Sequence, residues 1–130
     1  MMIDAQLWGE YLDPYFRFEQ PVKANKFAIV TAWNPASVWL PDEENRRNNQ
    51  QLRQEIGHTY CVDVLVGNES FSWAEASFAI SVNIRRGIEL GRKFGQNAIY
   101  YVNNDRLTLH SCLHEQESAI ITTDWRQRCR

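Results

Sequence analysis

The sequence lacks the runs of residues on which membrane and secreted proteins depend. Nowhere among the 130 residues do about 18 apolar residues follow one another, so the pattern of a transmembrane helix is absent. The N-terminal segment also lacks a basic stretch followed by an apolar one, which is the pattern of a secretory signal. We therefore expect a cytoplasmic protein that has no membrane partner.

Cysteine is scarce, and its three positions, Cys61, Cys112 and Cys129, show no C-x-x-C spacing. An odd number of thiols without that spacing argues against a disulfide framework and against a zinc site. The same pattern is typical of a reducing compartment. We expect these thiols to be buried or chemically idle.

Motifs for the common catalytic chemistries are missing as well. His58, His110 and His114 have no metal-ligand spacing with a carboxylate or thiol, so we predict that the protein binds no metal. A Gly-rich phosphate loop and a G-x-S-x-G elbow are both absent. No sequence motif therefore supports acyl transfer or nucleotide hydrolysis. We also predict that the protein uses no cofactor.

Positive charge is not in excess. The chain has 14 basic and 16 acidic residues, for a net charge of -2, and a sequence pI near 5.9. This balance offers little attraction for phosphate backbones, so we expect no nucleic-acid partner. The C-terminal tail carries Trp125, Arg126, Arg128 and Arg130, and we interpret it as a solvated chain end.

The residues that are present describe an ordinary folded domain. Apolar residues make up 44% of the chain and include five tryptophans, which predicts one core dominated by aromatic packing. We expect a single domain over residues 1–130, with an N-terminal helix within residues 1–14 and a C-terminal extension from about 111 to 130. Ile3, Leu7 and Tyr11 stand at helical spacing before Pro14.

Alternating or continuous apolar runs predict seven strands. They cover residues 15–18, 26–33, 60–66, 78–82, 98–102, 106–110 and 118–123. Two longer helices are predicted at 42–56 and 83–94, and in the second of these Gly87 and Gly91 face the sheet. The resulting fold class is α+β: a single mixed, largely antiparallel sheet with two or three helices packed on one face. A doubly wound parallel sheet is the alternative.

The helix predicted at 42–56 carries polar residues where apolar ones are expected. Its stripe of Leu52 and Ile56 extends backward, at helical spacing, onto Asn45 and onto Asn48 or Asn49. Amides at a helix N-terminus, near the end of the strand before Asn34, could orient a ligand or a water. The alternative is that they satisfy loop carbonyls and helix ends.

Glu75 is a second polar residue in an aromatic setting. It lies in a loop within the run from Trp73 to Phe78, which leads into the strand at 78–82. A carboxyl group between an indole and a buried aromatic ring could have a raised pKa and act as a general acid or base. The alternative is a solvated loop glutamate beside a packing tryptophan.

Four segments, TAWNPAS at 31–37, EN at 44–45, WAEASF at 73–78 and FGQNAI at 94–99, form a set with a definite order and spacing. This set resembles the landmarks of a bacterial family, the domain of unknown function 3293. The likeness runs from about Leu7 to Leu109, and the family often has proline where this chain has Ala76. The resemblance implies a compact bacterial protein, without an established activity that could be transferred.

Three functions remain open. The first is a binding module that holds a small polar or nucleotide-like ligand in a pocket. The second is a hydrolase-type enzyme with Glu75 as its catalytic acid or base. The third is a protein-interaction module whose apolar Trp39 loop docks on a partner. The predicted ligand-binding residues are Trp33, Asn34, Asn45, Trp73, Ser77, Gln96 and Asn97.

Overall fold

The structure, a computed structural model, describes residues 3–113 and 117–130. Within these residues the chain forms three α-helices and seven strands, in the predicted order. They are α1 (Ala5–Tyr11), β1 (Tyr15–Phe18), β2 (Lys26–Val30), α2 (Asp42–Ile56), β3 (Cys61–Gly67), β4 (Ala74–Ile80), α3 (Ile84–Lys93), β5 (Ala98–Asn103), β6 (Arg106–Ser111) and β7 (Ser118–Thr122).

The strands form one curled sheet in the order β1-β3-β4-β2-β5-β6-β7. Every strand pair within the described residues is antiparallel. The predicted α+β class is therefore confirmed, and the doubly wound parallel alternative is wrong. Strands β2 and β5 lie in the interior of the sheet, as their continuous apolar character predicts.

Helices α2 and α3 pack on one side of the sheet, which we call the helix face. Leu52 and Ile56 of α2 and Leu90 of α3 are buried there against Ala28 and Ile99 of the sheet. Within the described residues, apolar side chains of these two helices cover this face of the sheet. The charged sides of both helices remain in solvent, as their spacing predicts.

The two glycines of α3 let this helix approach the sheet closely. A Cβ atom added at Gly91 would lie 2.6 Å from Cys112 Sγ and 2.8 Å from Ile99 Cγ2. One added at Gly87 would lie 2.7 Å from the Cβ atom of Ala28. The predicted placement of both glycines against the sheet is confirmed, because a side chain at either position would overlap its neighbours.

The opposite side of the sheet, which we call the cavity face, is filled with aromatic rings at one end. Phe16 and Phe27 are fully buried there, and Trp125 packs edge-on against Phe18 and Phe27, with ring centroids 5.4 and 5.5 Å apart. The prediction of a solvated C-terminal tail is therefore wrong. An aromatic ring gains more by packing in this cluster than by remaining in water.

Ion pairs also hold the tail against the domain. Arg126 Nη1 lies 2.9 Å from Asp105 Oδ1, Arg128 Nη1 lies 2.5 Å from Asp13 Oδ1, and Arg130 Nη2 lies 3.2 Å from Glu69 Oε2. The arginines of the tail are therefore engaged within the fold.

Helix α1 lies over the cavity face, so the expectation that the helices share one face is wrong for α1. The Tyr100 hydroxyl on β5 donates a hydrogen bond of 2.7 Å to the Tyr11 carbonyl at the end of α1. The side-chain spacing predicts which stripe of α1 is apolar, but it does not specify the face of the sheet that receives the stripe. Within the described residues no helix is long and apolar enough to cross a membrane.

Candidate functional site

A cavity of about 850 Å3 lies on the cavity face, next to the aromatic end of that face. Its walls come from α1, from residues 34–39 and from the hairpin that joins β3 to β4. The sheet supplies its floor. Small-molecule sites in proteins have volumes of about 300–1,000 Å3, so the cavity has the size of a ligand-binding site.

The floor of the cavity follows from the strand register. Tyr100 on β5 pairs with Ile29 on β2, so their side chains lie on the same face of the sheet. Glu75 on β4 pairs with Val66 on β3, and Ser77 points to the same side two residues later. All five side chains line the cavity. These five side chains give the floor two aliphatic groups, one carboxyl group and two hydroxyl groups, one of which is on the Tyr100 ring.

Glu75 is the carboxyl side chain among these five residues of the floor. Strand β4 begins at Ala74, so Glu75 lies on a strand and not in the predicted loop. Burial raises the pKa of its carboxyl from 4.5 to about 7. Within the described part of the chain its carboxylate has no hydrogen bond or ion pair to offset that burial. At neutral pH this carboxyl can therefore act both as a proton donor and as a proton acceptor.

Two amide side chains hold the cavity wall formed by residues 34–40. Asn45, which is 1% exposed, accepts a hydrogen bond of 2.8 Å from the Asn34 N–H and donates one of 2.9 Å to Asn34 Oδ1. Its amide also donates to the Leu40 carbonyl at 3.1 Å, and Asn34 Oδ1 accepts from the Leu40 N–H at 2.9 Å. These contacts satisfy the Asn45 amide within the fold, so it supports the wall from behind.

The same wall contains backbone strain. Asn34, Ala36 and Ser37 have φ values of 45°, 57° and 60°, in the left-handed region. That conformation costs roughly 1–2 kcal/mol for a residue with a Cβ atom, and it persists where surrounding contacts impose it. The Asn45 amide and a 2.8 Å bond from the Ala36 N–H to the Gly95 carbonyl impose it here. Strain of this kind gathers at functional sites.

Asn49 performs a second supporting role from α2. Its Oδ1 accepts a hydrogen bond of 2.8 Å from the Ala32 N–H, and its Nδ2 donates one of 2.9 Å to the Ala76 carbonyl. The Thr31 hydroxyl donates to the same carbonyl at 2.6 Å. These bonds explain why β2 ends at Val30, three residues before its predicted end.

Helix α1 is fastened over the cavity by Tyr11. Asn97 Nδ2 donates a hydrogen bond of 3.1 Å to the Tyr11 hydroxyl, which also contacts the Ser37 hydroxyl. Gln96 lines the cavity nearby, and its Nε2 donates to the Trp33 carbonyl at 3.3 Å. Polar contacts thus join α1, the strained wall and the start of β5.

The β3–β4 hairpin places Trp73 at the mouth of the cavity. Asn68 Oδ1 accepts a hydrogen bond of 3.1 Å from the Trp73 N–H, and Asn68 Nδ2 donates one of 2.7 Å to the Ser72 hydroxyl. A Cβ atom at Gly67 would lie 2.2 Å from the Trp73 carbonyl oxygen, so this turn requires glycine. The Trp73 side chain is 55% exposed.

The structure brings five of the eight predicted site residues to the cavity. Asn34, Trp73, Glu75, Ser77 and Gln96 line it. The other three predicted residues, Trp33, Asn45 and Asn97, are not among the residues that line it.

Trp39, predicted as a docking residue, also lines the cavity and is 75% exposed. Its exposure is the property expected of an interaction loop. The same indole therefore has two candidate roles, one toward the cavity and one toward solvent.

Several lining residues carry no signal in the sequence. Glu10, Tyr11, Asp13 and Tyr100 line the cavity, and none of them is among the predicted site residues. The spacing of Ile3, Leu7 and Tyr11 predicts an amphipathic helix, which marks Tyr11 as core and not as site. These residues reach the cavity because α1 packs on the cavity face. That packing depends on contacts between residues distant in sequence, so no local pattern predicts it.

The thiols and imidazoles do not contribute to this site. Burial raises the pKa of all three thiols, in the case of Cys112 to about 12, so they remain protonated at neutral pH. In the part of the chain that the structure describes, no three His, Cys, Asp or Glu side chains group as metal ligands. His114 lies outside the described residues.

The fold and the cavity together define a small α+β protein with a ligand-sized, partly polar cavity on one side of its curled sheet. Residues 30–99, more than half of the chain, match the family described as protein of unknown function (DUF3293), so the chain belongs to that family. The matched range contains all eight predicted site residues, while α1 and β7 lie outside it. No curated protein and no solved structure matches the chain.

Proposed function

We propose that this protein binds a small polar molecule in the cavity of about 850 Å3 on the cavity face of its sheet. The observation that carries the proposal is the meeting of residues from four separate segments around one space. Asn34 comes from the strained loop, Trp73 from a hairpin, Glu75 from β4 and Gln96 from the segment after α3. A few polar groups in an otherwise apolar cavity are the usual composition of such sites.

The supports behind the cavity strengthen this proposal. Asn45 and Asn49 use buried amides to hold residues 32–40 in a strained path, and that path forms one wall of the cavity. A loop that contacts a bound molecule benefits from such support, because a flexible loop must become ordered when the ligand binds. That ordering costs free energy and lowers the affinity. The free thiols of the chain fit the reducing cytoplasm that we propose as its compartment.

A ligand screen by thermal shift tests the proposal. The wild-type protein, Trp73→Ala and Ile120→Ala would be screened against a library of polar metabolites. Trp73 and Ile120 are 55% and 60% exposed, and Trp73 lines the cavity while Ile120 on β7 does not. We expect ligands whose stabilisation is lost in Trp73→Ala and kept in Ile120→Ala. Ligands that stabilise all three proteins equally would place binding elsewhere and contradict the proposal.

Catalysis is the second candidate function, and the pKa of Glu75 near 7 favours it. A general acid or base works best when its pKa lies near the working pH. With one carboxyl on the floor, this residue would transfer a proton in a hydrolytic step. If a ligand from the screen is turned over, Glu75→Gln should abolish turnover while binding persists. Unchanged turnover in that variant would exclude Glu75 as the acid or base.

A further inference from the structure

The charges around the cavity point to the chemical class of its ligand. We propose that the cavity binds an organic cation, an amine or guanidine carried on an aromatic or apolar group, with the Glu75 carboxylate as its counter-ion. This inference rests on the proposed binding function and narrows it to one class of molecule. It follows from the lining charges, the exposed indoles and the unpaired carboxyl on the floor.

The ionisable lining of the cavity has one sign of charge. Glu10, Asp13 and Glu75 line it, and no lysine, arginine or histidine among the described residues does so. Asp13 is neutralised by Arg128 at 2.5 Å. Neither Glu10 nor Glu75 has such a partner within residues 3–113 and 117–130. The cavity therefore has negative charge in excess and favours a positively charged guest.

The mouth of the cavity offers aromatic surfaces suited to the same guest. Trp39 and Trp73 line the cavity and remain 75% and 55% exposed, so both residues are accessible to a ligand. Indole is the most favourable side chain for attracting a cation through its π face, and it also stacks on flat apolar groups. Aromatic walls with one half-buried carboxylate are complementary to a cationic head on an apolar body.

The same features exclude anionic ligands. A phosphate or carboxylate group in this cavity would meet the unpaired charges of Glu10 and Glu75 without a lysine or arginine of the described lining to offset them. The prediction of a nucleotide-like ligand, made from the sequence, is thereby restricted to molecules without a phosphate group.

Binding should depend on pH in a defined direction. Tyr100 from β5 interacts electrostatically with Glu75, and Glu10, Tyr11 and Asp13, the last with its partner Arg128, line the same cavity from α1 and the turn after it. The neighbouring strands contribute uncharged side chains. Burial alone raises the pKa of Glu75 to about 7, and a bound cation would lower it again. Binding should then release a proton, and affinity should rise about tenfold between pH 6 and pH 8.

Isothermal titration with three matched probes tests this inference. Tryptamine, tryptophol and indole-3-propionate share an indole and differ in carrying an amine, an alcohol or a carboxylate. Each would be titrated at pH 6 and pH 8 into the wild-type protein, Glu75→Gln and Glu44→Gln. Glu44, an exposed residue of α2, is the control because it does not line the cavity.

We expect tryptamine to bind at least tenfold more tightly than the other two probes at pH 8. Glu75→Gln should remove this preference and its pH dependence, and Glu44→Gln should keep both. Equal or tighter binding of the alcohol or the carboxylate, or a preference that survives in Glu75→Gln, would overturn the inference while leaving the cavity as a binding site. Absence of binding by all three probes would overturn it as well, and the library screen then decides the proposed function independently.

Discussion

The two faces of one sheet are packed in opposite ways. On the helix face, α3 approaches the sheet so closely that an added Cβ atom at Gly91 would lie 2.6 Å from Cys112 Sγ. On the cavity face, aromatic rings fill one end and a space of about 850 Å3 occupies the other. The strands that build both faces are the same, so the difference lies in the segments that cover them.

This difference separates stability from function within a small domain. The helix face has the continuous apolar contacts that hold a fold together. The open end of the cavity face has a strained loop, a half-buried carboxyl without a cationic partner and two exposed indoles, none of which adds to the stability of the fold at neutral pH. Features that cost stability are retained where they serve another purpose. We therefore expect substitutions on the two faces to behave differently.

The largest contrast is expected from two leucine truncations. Leu52 on α2 is fully buried in the helix face, and Leu7 on α1 is half-buried over the cavity. Leu52→Ala should lower the free energy of unfolding by about 3 kcal/mol, because the cavity left behind cannot collapse. Leu7→Ala should lower it by about 1 kcal/mol, since water can enter the space. Urea denaturation of both variants measures this, and equal losses would remove the distinction between the faces.

The next effect concerns the pH dependence that Glu75 imposes. Its pKa is about 7 in the folded protein and near 4.5 when unfolded, so the unfolded chain releases the proton first as pH rises. Stability contributed by the neutral carboxyl is complete below about pH 4.5 and is lost as pH rises to about 7. Glu75→Gln should therefore gain about 3 kcal/mol relative to wild type between pH 4.5 and pH 8, since each unit of pKa shift corresponds to about 1.4 kcal/mol. A constant difference across that range would show that the cavity floor is well hydrated.

Asn45 connects the two regions, because it stands on a helix of the helix face and supports a wall of the cavity. Asn45→Ala leaves the Asn34 N–H and the Leu40 carbonyl without their partner, which should cost roughly 1–2 kcal/mol. Ligand binding should weaken in parallel, since the wall would relax. Gln50→Ala, an exposed change on the same helix, is the control. Normal stability with lost binding would instead mean that Asn45 contacts the ligand directly.

The smallest effect should have opposite signs on the two faces. Gly9→Ala on α1 adds a methyl group where nothing lies within 4 Å, so it should stabilise the protein by up to about 1 kcal/mol through helix propensity. Gly91→Ala on α3 should destabilise it by about 1 kcal/mol, because overlap with Cys112 and Ile99 outweighs the same gain. Thermal denaturation gives both signs. A stabilised Gly91→Ala would mean that α3 can move away from the sheet at little cost.

Much of the fold follows from local patterns in the sequence. The helix predicted at 42–56 is observed as Asp42–Ile56, with Gly57 at φ 62° after its last turn. Strand β1 also has its predicted bounds. These elements are encoded by neighbouring residues, since apolar spacing, caps and glycine placement act within a few positions.

The predictions that fail depend on partners distant in the chain. The apolar pattern predicts a strand at residues 31–33. In the structure the Ala32 N–H donates a hydrogen bond to Asn49 Oδ1, so it is not available for pairing in the sheet. Glu75 is predicted in a loop, but it pairs with Val66 of β3 and therefore belongs to β4. Trp125 reads as part of a solvated tail, although its ring packs on Phe27. In each case a tertiary contact outweighs a weak local preference.

The candidate site divides in the same way. Sequence alone marked Asn34, Asn45, Glu75 and Gln96 as polar residues in unusual positions, and it marked the indoles beside them. The tertiary structure decides which of these residues line the same cavity. The register of β4 sets the direction of Glu75, and α1 packs so that the Tyr11 carbonyl accepts a hydrogen bond from the Tyr100 hydroxyl. Local patterns determine the periodicity of each segment, whereas distant segments come to line one cavity only when the sheet forms with its native register and α1 packs over it.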